Sequence, residues 1–107
     1  MAVATRLADQ ARGYFVGTYA GTTAAQNIHI GFEPALIIGV NVTDGDTMYI
    51  WSTEDLANVV SIIATPATVA EAITQVDNGT VIGFALPASG STTNEDGKTY
   101  VFLALPE

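Results

Sequence analysis

Residues 31–52 read GFEPALIIGVNVTDGDTMYIWS, and the order of punctuation and apolar run within them decides the fold class. Gly31 to Pro34 forms an entry turn, because proline has no N–H to give to a strand ladder and interrupts the segment before it. Ala35 to Val42 begins as an unbroken apolar run, the pattern of a central strand covered on two sides. Thr43-Asp44-Gly45-Asp46 gathers the residue types that favour tight turns. Thr47 to Ser52 then resumes as an aromatic and aliphatic run, so the stretch predicts a β-hairpin over 35–52.

The flanking sequence has the same texture. YFVGTYA (14–20) is aromatic and β-branched, and Gly21 to Thr23 forms a turn. QNIHIGF (26–32) alternates, with Ile28, Ile30 and Phe32 on one face and Asn27 and His29 on the other. STED (52–55) suits a helix cap, and LANVVSIIA (56–64) suits either a short helix or a strand. Thr68 and Glu71 have the spacing of a capping box. Against a helix there, Val69, Ile73, Thr74 and Val76 are β-branched and Asp77-Asn78-Gly79 is a hairpin turn, so 69–86 is expected to be strand–turn–strand. Pro87 to Gly97 is a polar loop, and KTYVFLAL (98–105) a closing strand. About seven or eight short strands with frequent turns describe an all-β, single-domain antiparallel sandwich or barrel spanning 13–107. Residues 1–12 stand apart as an extended N-terminal arm, with Val3, Leu7 and Ala11 at helical spacing but too short for a stable free helix in water.

Composition removes several functions. The 107 residues are 49% apolar and 13% charged, a globular balance large enough for one core. No apolar run approaches the ~20 residues that span a bilayer, and the start lacks the apolar segment of a secretory signal. There is no cysteine, hence no disulfide, thiolate nucleophile or cysteine metal site. Three basic residues against eleven acidic ones give a net charge of −8, which argues against nucleic acid as a partner. Arg6 and Arg12 both fall in the arm, so it is mildly basic while the body is acidic, as in a segment that docks on another surface.

The residues that might carry chemistry read as structure instead. His29 is the one histidine, and no serine stands in a nucleophile elbow to partner it. Asp44, Asp46 and Asn41 offer oxygen ligands, but the spacing and bidentate carboxylate of a calcium loop are missing. Glu54-Asp55 and Glu95-Asp96 are carboxylate pairs in expected turns, where solvated charge is the ordinary reading against glycosidase chemistry. Asn41-Val42-Thr43 and Asn78-Gly79-Thr80 match a glycosylation pattern and read as turns without a secretory signal. A small hydrolase built on Asp44 or Asp46 has no general base with an oriented partner, so no enzyme, metal or cofactor is expected. Tyr14, Tyr19, Tyr49, Trp51 and Tyr100 are interface or core; Tyr49, Trp51 and His29 are the candidates for a subunit or partner interface.

GTYAGTTAAQNIHIGFEPALIIGVNVTDGDTMYIW (17–51) resembles small β-rich virion proteins of tailed bacteriophages. The shared run is a Gly-x-Tyr-x-Gly start, an alternating strand into Gly-Phe-x-Pro, an apolar strand ending near Asn-Val-Thr-Asp and a Tyr-x-Trp strand. The Asp-Asn-Gly turn at 77–79, the loop with Asn94 and Gly97 and the strand at Tyr100 extend the resemblance over roughly residues 13–105. It departs at Gly79-Thr80, where the family frequently has Gly-Phe after Asp-Asn. The resemblance implies a capsid decoration (cement) protein on the outer surface of the head, a homotrimer whose arm residues Arg6, Leu7 and Arg12 contact the major capsid protein. The alternative it implies is a receptor- or carbohydrate-binding module of a head or tail fibre, with Tyr49, Trp51 and the 87–97 loop as its surface. The lack of fibre repeats or a coiled-coil stem favours the first.

Overall fold

A computed structural model describes residues 13–45, 47–62, 66–88 and 92–107. The expected arm at 1–12 lies outside the described residues, as do Asp46 and the middle of the 87–97 loop. Nine strands follow one another: β1 (Phe15–Ala20), β2 (Gln26–His29), β3 (Pro34–Asn41), β4 (Thr47–Ser52), β5 (Val59–Ile62), β6 (Pro66–Val69), β7 (Thr74–Asp77), β8 (Ile82–Leu86) and β9 (Thr99–Pro106). They form a six-stranded sheet in the order β1-β9-β3-β4-β5-β6 and a three-stranded sheet in the order β2-β8-β7. Every pairing is antiparallel. No described residue is helical.

The opening hairpin forms as its punctuation dictates. Ile37 pairs with Trp51 and Gly39 with Tyr49, and Gly45 takes a φ of 71° in the turn that glycine permits. Pro34 opens β3, a position where its missing N–H costs no ladder bond. One expectation changes and two open alternatives close. Among the described residues the strands number nine, because Val59–Ile62 and Pro66–Val69 are each a short strand of the six-stranded sheet. The capping-box spacing at Thr68 and Glu71 yields no helix: Thr68 pairs with Val60, and Glu71 is drawn into tertiary contacts. The barrel alternative fails, since β1 and β6 end the larger sheet without pairing to each other.

The two sheets face each other in a sandwich-like arrangement. From the larger sheet Phe15, Tyr19, Ile37, Tyr49, Trp51, Tyr100, Phe102 and Ala104 point inward, and from the smaller one Ile28, Phe84 and Leu86, all buried. Phe84 meets Phe102 edge to face at 5.4 Å, the contact that joins the sheets.

β3 is apolar on both sides, yet described residues cover only one. Ile37, Gly39 and Asn41 are buried, whereas Leu36, Ile38 and Val40 on the other side are half-buried. The same division runs across the sheet.

Candidate functional site

The inner polar residues form one network, built where the 87–97 loop meets the sheets. Tyr19 and Tyr100 lie side by side on β1 and β9, their rings stacked at 4.9 Å. Tyr49 reaches the same point from β4, its ring lying over Gly39, and its hydroxyl shares a 2.7 Å hydrogen bond with that of Tyr19. The Tyr19 hydroxyl also lies 2.6 Å from the Thr93 carbonyl, to which it donates, so Tyr49 is left to donate to Tyr19. The Glu95 amide donates to the Tyr100 hydroxyl at 3.0 Å.

Glu71, buried, accepts at 2.9 Å from the amide and the hydroxyl of Thr93, and from the Thr92 amide. Asn94, with no exposed surface, uses its whole side chain: Oδ1 accepts from the Thr22 amide and from Gln26, and Nδ2 donates to the carbonyls of Ala24 and Pro87. These bonds fasten the loop to the β1–β2 connection and to the segment before β7. Gly21 is required there, because a Cβ on it would sit 2.0 Å from the Glu95 carbonyl oxygen.

This network holds protons rather than moving them. Burial raises the Tyr19 and Tyr49 phenols above their ordinary value, and the neighbouring tyrosine hydroxyl adds to the effect at Tyr19. Burial likewise raises Tyr100, partly offset by the Glu95 amide. Among the described residues no three of His, Asp and Glu converge as metal ligands. The carboxylate oxygens of Glu71 face amide and hydroxyl donors, and the network presents no activated nucleophile with an oriented base.

The candidates picked out from sequence fall in separate places. Tyr49 and Trp51 are 0% and 1% exposed, which places both in the core of this chain, one of the two readings the sequence left open. Alternation along β4 turns both toward the smaller sheet, and an aromatic-rich inner face fills the space between sheets. Trp51 Nε1 finds no acceptor among the described residues. His29 is half-buried on β2, and its Nδ1 accepts from the Ile82 amide at 3.0 Å, a structural bond at the start of β8. Arg6, Leu7 and Arg12 lie outside the described residues. The acidic pairs sit in turns: Asp55 accepts from Asn58, and the Glu54 amide donates to Ser52. Asn41 accepts from the amides of Thr43 and Asp44, and Asp44 pairs with Lys98 at 3.0 Å.

What single-position reading missed is a surface. Across the outer side of the larger sheet, Val16 pairs with Leu103, Leu103 with Ile38, Ile38 with Ile50 and Ile50 with Val60, an apolar row over five strands. A parallel row runs from Thr18 through Val101 and Val40 to Met48. Val16 is 42% exposed, and Val60, Val101 and Leu105 are 37% exposed. No acidic or basic residue belongs to the outward positions of these strands. The smaller sheet differs, presenting Asn27, His29 and Thr74 outward. The signal was in the sequence, in the doubly apolar texture of ALIIGV and of VFLAL.

No family model, curated protein or solved structure matches the chain. Contiguous exposed apolar patches beyond a few hundred Å² mark interaction sites, and five strands about 4.8 Å apart, with two to four outward positions each, span about 500 Å² in projection.

Proposed function

We propose that this chain is a structural protein that works by protein–protein contact, in the form its resemblance implies: a capsid decoration protein of a tailed bacteriophage, on the outer surface of the head. The observation that supports the reading is the uncharged apolar outer face of the six-stranded sheet, on a body whose inner polar groups are consumed by holding a loop. Decoration needs a rigid body with surfaces that bind, and no turnover. The arm residues Arg6, Leu7 and Arg12 take the contact with the major capsid protein, and the chain is expected as a trimer. A ligand that binds the assembled shell and not its free subunits stabilises the shell by mass action. The fibre-module alternative loses its aromatic platform, because Tyr49 and Trp51 are inside.

The test separates heads from tails of the source particle and measures the chain in each. Recovery with heads, and sedimentation of added full-length protein with undecorated heads, is the expected result. A variant lacking residues 1–12 should no longer sediment with them. Recovery with detached tails overturns the decoration reading, and unchanged binding by the truncated variant overturns the arm's role.

A further inference from the structure

We infer that the outer face of the six-stranded sheet is the surface on which copies of this chain meet. The inference rests on the contact role proposed above and names the partner for that surface.

Three observations select another copy. The first is charge. The chain carries −8 overall, so two copies repel at most approaches, but this face adds no charge of its own to the contact. A strongly basic partner would be drawn to the acidic turns around Asp44, Glu54 and Asp55 at the strand ends, not to this neutral centre. The second is area. About 500 Å² in projection on each copy gives about 1,000 Å² for a pair, near the lower bound for a specific interface. The third is shape and chemistry. The row Val16–Leu103–Ile38–Ile50–Val60 crosses five of the six strands without a polar side chain, and Thr68 continues it on β6. Apolar sheet faces pack on one another about 10 Å apart through interdigitated side chains, so the surface complements itself. Every described strand belongs to one of the two sheets and the smaller one lies on the inner side, so no described strand competes for the outer face.

The arrangement brings the acidic strand ends of neighbouring copies near each other around an apolar centre. Added salt screens that repulsion and leaves the apolar contact intact, so association strengthens from 20 mM to 500 mM salt.

The experiment uses the full chain. Light scattering on the eluted protein at about 100 μM, well above the micromolar range of weak specific pairs, should give a mass above that of one chain. Ile38→Lys should reduce it to one chain, with the buried Trp51 emission unchanged as the check on folding. If that variant does not fold, Ile50→Cys supplies the second reading: the chain has no cysteine of its own, so a short bis-maleimide, whose two alkenes each add one thiol, should join copies through that single site. A single-chain mass for the native protein at both salt concentrations overturns the inference. So does an oligomer that survives Ile38→Lys, or an Ile50→Cys variant that is oligomeric but does not cross-link. A single-chain protein that still sediments with heads would overturn this inference alone, whereas an oligomer that ignores heads would overturn only the decoration reading.

Discussion

Gly39→Ala tests the packing argument most directly, because the space it needs is already filled. A Cβ built on Gly39 lies 2.2 Å from Cε2 of Tyr49, 2.4 Å from Cζ and 2.7 Å from the hydroxyl oxygen. Ordinary contact begins at 3.4 Å, so the ring must retreat by about 1.2 Å, and a close-packed interior resists such movement. It has little room to do so. Tyr49 is fully buried, stands edge-on to Tyr100 at 6.4 Å, and is hydrogen-bonded to Tyr19. Forcing an extra methyl into a packed core costs about 1–3 kcal/mol, and pulling the hydroxyl from Tyr19 adds about 1 kcal/mol. The expected loss is about 2–4 kcal/mol, or a Tm lower by about 10–25 °C for a domain of this size. Urea and thermal unfolding, followed by emission of the one tryptophan, Trp51, give the number. The control is Tyr49→Leu, which destabilises alone but makes room for the methyl. Combined with Gly39→Ala it should cost at least about 1 kcal/mol less than the two separate losses, since residues in contact are not additive. A Gly39→Ala loss under about 0.5 kcal/mol, or simple additivity of the pair, refutes the reasoning.

Two further outcomes follow from the inner network. Tyr19 and Tyr49 are raised above 10.0 in the folded chain by burial, so stability is full below about pH 10 and falls above it. There the unfolded chain releases protons that the folded chain keeps, at about 1.4 kcal/mol per pH unit for each tyrosine. Urea midpoints at pH 9, 10 and 11 should show the fall, and Tyr19→Phe with Tyr49→Phe should flatten it; phenolate absorbance from both tyrosines at pH 10.5 with an unchanged midpoint counts against the account. Asn94→Ala removes four hydrogen bonds at once. With Thr22 and Ala24 exposed and able to turn to water, the cost is about 2–4 kcal/mol, and faster amide exchange at Thr22 is the local signature, whose absence would remove Asn94 from its anchoring role.

The hairpin over 35–52 was legible because its signals are local: a proline at one end, a turn set in the middle, and β-branched residues between. The middle of the chain was not. Thr68 and Glu71 carry a helix-start spacing, and only the pairing of β6 with β5, together with the amides of Thr92 and Thr93, gives them other work. The Thr92 and Thr93 amides lie 21 and 22 residues from Glu71, where no short window of residues reveals them. Tyr49 and Trp51 were ambiguous for a related reason. An aromatic residue on a strand states that it will be buried against something, and only sheet topology decides whether that is the chain's own second sheet. The apolar outer face shows the converse. ALIIGV announces two covered sides, and described residues supply one.

β9 lies between β1 and β3 in the larger sheet, although it follows every other described strand in sequence. Until Thr99–Pro106 has been made, β1 has no neighbour and β3 has one bare edge, each a row of unpaired amides and carbonyls open to any passing strand. Six register pairs to β1 and the run from Leu36 to Asn41 on β3 all wait on the same eight residues. The sheet must therefore close by insertion, across long loops whose entropy is spent before any contact repays it. A cell making this chain carries each copy through an interval in which its future centre is an edge, and the yield of folded protein should depend on how crowded that interval is.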